Sequence, residues 1–267
     1  MKNQELQVFA SLQEPPPHTP WAFTHSFWGN HPLKQDSTSQ FGIGHFLLQT
    51  KLNSQFLDLN YQYRDTPYPL PLVEYEYCRQ ELLTKDQLQI PLTSENTFPF
   101  ELRILPTLSK KGVCFKLIHP LQLQSKLVVN FFIHIPLMLK ITASTLPKPI
   151  LEVMSQELRK TIHPLEHTPS WYWPTDHFFG LEKPNIFLPH KGVMEVQINN
   201  ETMQTLTINQ FHVSFANAAL FSFVNGYFSS KLHLAFRTST SAPLVTWSNN
   251  SQLHQLEHFL VQSSSRE

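Results

Sequence analysis

"LVVNFFIHIPLMLKI", residues 127–141, is the longest apolar-rich run in the chain, and its reading decides the fold. It is shorter than the roughly 20 residues a helix needs to cross a bilayer. Asn130, His134, Pro136 and Lys140 also interrupt it. Between 127 and 135 apolar residues fall on both faces, which suits a central strand of two packed layers. Pro136 has no N–H for a ladder, so it marks an edge, a bulge or a bend.

The flanking chain repeats every second residue, the period of strands with one wet face. Leu57, Leu59, Tyr61 and Tyr63 alternate with Asp58, Asn60, Gln62 and Arg64. Val73, Tyr75 and Tyr77 alternate with Glu74 and Glu76, and Leu88, Ile90 and Leu92 form a further short run. Phe98, Phe100, Leu102 and Ile104 follow, with Glu101 and Arg103 outward. "VMEVQIN" and "TLTINQFHVSF" read as a hairpin closed by "NNETMQ". Asn225-Gly226 sits between two alternating runs, and both residues tolerate the positive φ of a tight hairpin turn.

Two segments depart from this rhythm. Ile150, Val153, Met154 and Leu158 recur at helical spacing, with Pro149 near the start and Arg159 and Lys160 in the last turn. Leu253, Leu256 and Leu260 also share one helical face. The expectation is a mainly β protein, an antiparallel β-sandwich or two stacked β lobes, with short helices at about 149–162 and 251–262. The organisation expected is a partly extended arm over 1–40 and one compact unit over 41–267. Within that unit an N-terminal lobe (41–146) and a C-terminal lobe (193–267) flank a helix and aromatic loop (147–192). Phe27 and Trp28, with Trp21 and Phe23, are too apolar to stay solvated, so the arm should dock on the body.

Composition narrows function. Lys+Arg and Asp+Glu number 20 each, and zero net charge argues against a general affinity for nucleic acid or acidic membranes. Charged residues make up only 15% of the chain, a low share that points to a partner or an oligomer. Only 7 glycines are present and no Gly-rich phosphate loop is found. Cys78 and Cys114 could pair once at most and form no disulfide framework. The opening residues lack the apolar core of a signal peptide, so a cytoplasmic location is expected.

The motif that makes a chemical claim is His-x-x-Glu-His, present as "HPLEH" (163–167) and "HQLEH" (254–258). In zinc hydrolases of this pattern two His at i and i+4 project from one helical face, and the Glu polarises a water. Pro164 disfavours a helix through the earlier string by about 3 kcal/mol. His254, Glu257 and His258 are the better-formed set but have few residues after them to supply a third ligand. No cofactor is therefore expected, and a zinc-dependent hydrolase is the alternative reading. His119, His134, His190, His212 and His233 fall in or beside strands as structural residues, with a cluster across sheets as the exception to look for.

The densest non-catalytic signal is "SWYWPTDHFFG" (170–180), within a stretch, 167–192, that reads as structureless. Trp171, Tyr172, Trp173, Phe178 and Phe179 either fold back on the core or form an aromatic platform for a ligand. The reading preferred is a non-catalytic binding or scaffold protein with a protein or small-molecule partner.

"NTFPF", "FFIHIPLMLKI", "DHFFGLEKP" and "VMEVQINNETMQTLTINQFHV" occur in that order over residues 95 to about 215. In this order and spacing the segment resembles an uncharacterised prokaryotic family, domain of unknown function 432. The family's usual Tyr-Gly is Phe179-Gly180 here. The resemblance implies no established activity and no catalytic residues to carry over.

Overall fold

The computed structural model describes residues 27–68, 71–75, 86–92, 100–143, 146, 148–162, 169–179, 188–223, 226–238, 242–249 and 260–262. In chain order the strands begin with β1 (Gly29–Leu33), β2 (Ser37–Ile43), β3 (Phe46–Leu52), β4 (Phe56–Tyr63) and β5 (Leu72–Glu74). Next come β6 (Asp86–Pro91), β7 (Phe100–Thr107), β8 (Gly112–Leu123), β9 (Val128–Pro136) and β10 (Met138–Ala143). β11 (Leu151–Met154), β12 (Arg159–Ile162), β13 (Pro169–Thr175), β14 (His177–Phe178) and β15 (Lys191–Asn200) follow. The last are β16 (Leu206–Val213), β17 (Leu220–Phe223), β18 (Gly226–Ser229), β19 (Lys231–Phe236), β20 (Leu244–Ser248) and β21 (Leu260–Gln262). The protein is mainly β, as expected.

The strands form four sheets that share two main cores. Sheet β1-β7-β10-β11 faces sheet β5-β2-β3-β4-β6 across Phe41, Leu48, Leu57, Leu102, Ile104 and Leu139. Sheet β12-β13-β8-β16 faces the eight-stranded sheet across Phe115, Phe131, Ile133, Trp173, Val196 and Leu232. Inner-face residues alternate with outward ones along each strand, as two packed layers require. β7, for example, buries Phe100, Leu102 and Ile104 while Arg103 is exposed.

The run at 127–141 explains how one chain serves both sandwiches. β9 lies inside the eight-stranded sheet, between β14 and β15, and buries residues on both faces. Pro136 ends it, Leu137 is fully buried, and β10 continues in the other sandwich beside β7. The proline is thus a bend at which the strand changes sheet. Leu108 touches both cores where β7 gives way to β8. The first sandwich therefore draws on strands within 29–107 and 138–154, and the second mainly on those within 112–136 and 159–248. Phe27 and Trp28 pack edge-to-face at 5.0 Å in the first core, and β1 and most of β2 precede residue 41.

Four local expectations are corrected. The segment expected as a helix over 149–162 is two strands: β11 pairs with β10, and β12 pairs with β13. Its apolar residues do not share a helical stripe. Ile150 and Val153 pack on the first core and Leu158 on the second, because the chain crosses between sandwiches there. Of the segment expected as a second helix, 260–262 is strand β21, and 251–259 lies outside the described residues. The stretch expected as structureless over 167–192 contains β13, β14 and the start of β15. β13 pairs in parallel with β8, so it is an interior strand of its sheet.

The expected hairpin of β15 with β16 does not form, since β15 pairs with β9, β18 and β19 while β16 pairs with β8. The turn joining them carries the chain between sheets, around Asn200. The side chain of Asn200, fully buried, donates to the carbonyls of Leu123 (3.0 Å), Gln124 (2.9 Å) and Gln204 (2.8 Å). Its oxygen accepts from the N–H (3.0 Å) and hydroxyl (2.7 Å) of Thr202. Five bonds satisfy both ends of a buried amide, so this corner has one geometry. β17 and β18 do pair as the hairpin expected around Asn225-Gly226, and Gly226 has φ +148°.

Candidate functional site

β15 is central in its sheet, so its two faces have different fates. Met194, Val196 and Ile198 point into the core, which sends Val193, Glu195, Gln197 and Asn199 to the outer face. Register aligns Gln197 with Asn130 and His233, and Asn199 with Val128 and Ala235. β20 extends these rows with Thr246 opposite His233 and Leu244 opposite Ala235. One end of the face is apolar and closed, where Phe132, Phe178, Val193, Phe221 and Phe228 cluster. The other end is polar.

At the boundary Glu195, fully buried, meets Lys231 Nζ at 2.8 Å. A buried carboxylate needs such a cation, although the pair adds little net stability against its desolvation. One row on, His233 bridges strands. Its Nδ1 lies 2.6 Å from Gln197 Oε1 and its Nε2 2.8 Å from Ser248 Oγ. An amide oxygen only accepts, so Nδ1 carries the proton and Nε2 accepts from the Ser248 hydroxyl. Burial lowers the His233 pKa, and Lys231 lowers it further against an opposing pull from Glu195. The neutral imidazole is thus the favoured form.

The aromatic segment divides. Trp173 is 2% exposed, donates Nε1–H to His134 O at 3.0 Å, and has Lys191 Nζ 5.5 Å from its ring. Phe178 stacks on Phe132 at 5.8 Å. Trp171 is partly buried against the same core as Trp173, with Lys111 Nζ 5.4 Å from its ring, and Tyr172 is half-buried. Phe179 is 62% exposed, edge-on to His177 at 5.4 Å. The period of β13 turns both tryptophans inward, so the five rings do not gather into one platform.

A family model described as "Protein of unknown function (DUF432)" matches residues 27–263. The chain belongs to this family. No curated protein and no solved structure matches it. The match extends well beyond the 95–215 stretch that carries the resemblance, and it takes in every residue of the polar face. The family description states no activity, so a functional reading of this DUF432 protein rests on geometry.

Neither zinc-motif string can be placed. His163, Glu166 and His167, and likewise His254, Glu257 and His258, lie outside the described residues. The strands on either side of the earlier string, β12 and β13, pair antiparallel. Among the described residues no group of three His, Cys, Asp or Glu is placed to hold a metal ion. No described helix is long and apolar enough to cross a membrane.

A histidine grouping across sheets does exist in this DUF432 fold. His190 lies under the β2–β3 turn, where a Cβ on Gly44 would come within 2.6 Å of its ring, and Gly44 has φ +56°. Burial, then the charges of Lys191, His45 and His134, lower the His190 pKa to about 3. It is a neutral packing residue joining the two sandwiches, and Ser155 Oγ donates to its carbonyl at 2.8 Å.

Composition alone could not find the outer-face residues. Alternation in "VMEVQIN" marks Glu195 and Gln197 as sharing a face, but their partners lie on strands 36 or more residues away.

Proposed function

We propose that this DUF432 protein is a cytoplasmic binding or scaffold protein whose contact surface is the polar half of the outer face of the eight-stranded sheet. The observation that carries the reading is the Gln197–His233–Ser248 line of hydrogen bonds, which fixes side chains on three adjacent strands. Groups held this way lose little entropy on binding, the condition a preorganised site meets. Around them Asn130, Thr246, Val128 and Leu244 are exposed, a mix of amide, hydroxyl and apolar groups suited to a small polar ligand or an extended peptide. Of the aromatic segment, Phe179 alone offers a largely exposed ring and serves as a separate edge contact.

A thermal-shift panel of sugars, amino acids, nucleosides and short peptides tests this. At least one compound should raise Tm in the native protein, and Thr246→Lys and Asn130→Lys should each abolish that gain while leaving the unliganded Tm within about 2 °C. A gain that survives both substitutions and disappears in Phe179→Ala places binding at the aromatic edge instead.

A further inference from the structure

The polar face carries an arrangement that binding alone does not call for. Ser248 Oγ, His233 Nε2, His233 Nδ1 and Gln197 Oε1 form an unbroken relay with separations of 2.8 Å and 2.6 Å. A hydroxyl donating to an imidazole that is oriented by a third group is the signature of an activated nucleophile. Ser248 is partly exposed, so a reagent can reach it. Lys231 is the cross-strand partner of Ser248, and its ammonium is taken up by Glu195 on β15 at 2.8 Å, so it stays out of the relay.

We propose that Ser248 is a nucleophilic serine, with His233 as its base and Gln197 as the group that positions His233, acting on small carboxylic esters. This goes beyond the binding reading and does not depend on it.

The chemistry balances with water as the only co-reactant. Ser248 Oγ bonds to the ester carbonyl carbon as its proton passes to His233 Nε2, and the carbonyl π pair moves onto the oxygen. The pair returns, the carbon–alkoxy bond breaks, and the leaving alkoxide takes the proton from Nε2. Water then gives a proton to Nε2 and attacks the acyl carbon. Ser248 leaves with that proton, releasing the carboxylic acid.

The orienting group explains the choice of substrate. Gln197 holds the imidazole tautomer but carries no charge, so it stabilises the imidazolium less than a carboxylate would. The neutral form that burial favours in His233 is the form able to accept the hydroxyl proton. Such a site suits esters with good leaving groups rather than amides.

A fluorophosphonate probe reads the nucleophile directly, because the Ser248 oxygen displaces fluoride from phosphorus and leaves a stable adduct. Native protein should take up one probe per chain at Ser248, located by peptide mass spectrometry, and faster than the same protein unfolded in urea. His233→Gln should slow labelling by roughly 100-fold or more, the scale of a lost general base. 4-Nitrophenyl acetate hydrolysis should fall with it and vanish in Ser248→Ala. Equal labelling of native and unfolded protein overturns the proposal without recourse to any variant. So does an adduct elsewhere, or a His233→Gln rate equal to that of the native protein. Thermal-shift hits retained in Ser248→Ala beside absent labelling would leave the binding reading standing and remove this one.

Discussion

His190 shows how much one side chain can impose on the whole protein's response to acid. Its ordinary value of 6.5 falls to about 3 in the fold. Between those limits the unfolded chain binds the proton and the native state resists it. The stability this residue permits is therefore complete above about pH 6.5 and declines as pH falls toward 3. Each pH unit in that window removes up to about 1.4 kcal/mol. Urea unfolding from pH 7.5 down to 4.5 should show this loss, and His190→Gln should flatten it. An unchanged slope in the variant would assign the acid sensitivity to other groups. His45, His134 and Lys191 contribute to the same resistance because each would place a positive charge near the imidazolium.

At the scale of elements, β13 makes the sharpest contrast between burial and density of aromatics. Trp173→Ala should cost about 3–5 kcal/mol, since it empties a packed core site and removes the indole N–H donated to the His134 carbonyl. Phe179→Ala should change stability by no more than about 0.5 kcal/mol, as an exposed ring does. Chemical denaturation of both variants checks the pair, and comparable losses would show that Phe179 is also part of the core. The sequence made strands legible where a single wet face alternates, as along β4 and β7. Its two-sided apolarity also marked β9 as central, with Pro136 as an edge, a bulge or a bend, of which the structure takes the bend. Legibility failed where one segment serves two cores: Ile150, Val153 and Leu158 imitate helical spacing because the chain switches sandwich among them. It failed again at β15–β16, where the polar turn resembles a hairpin loop and only the distant carbonyls of Leu123 and Gln124 reveal a corner. The candidate site was illegible for a related reason. Glu195, Gln197, Lys231, His233 and Ser248 converge through strand register, and register between distant segments leaves no local pattern.

For the whole molecule, strand order carries a cost in time. β2, β3 and β4 pair with their immediate neighbours in the chain, so that meander closes short loops. β15 pairs with β9 on one side and with β18 and β19, in parallel, on the other. Long loops must close before those contacts reward it, which slows folding toward the millisecond-to-second range. Pulsed hydrogen exchange during refolding should protect the amides of β3 before those of β15. Simultaneous protection in one fast phase would contradict this ordering. The same topology sets a schedule on the ribosome. Once residues 191–200 are made, the 30 residues 201–230 must be added before β19 begins at Lys231, which at 5–20 residues per second takes roughly 2–6 s. Throughout that interval one edge of β15 lacks the strand that will cover it. The nascent chain is then a template for any strand nearby, and its yield in a cell should depend on translation speed across 201–236.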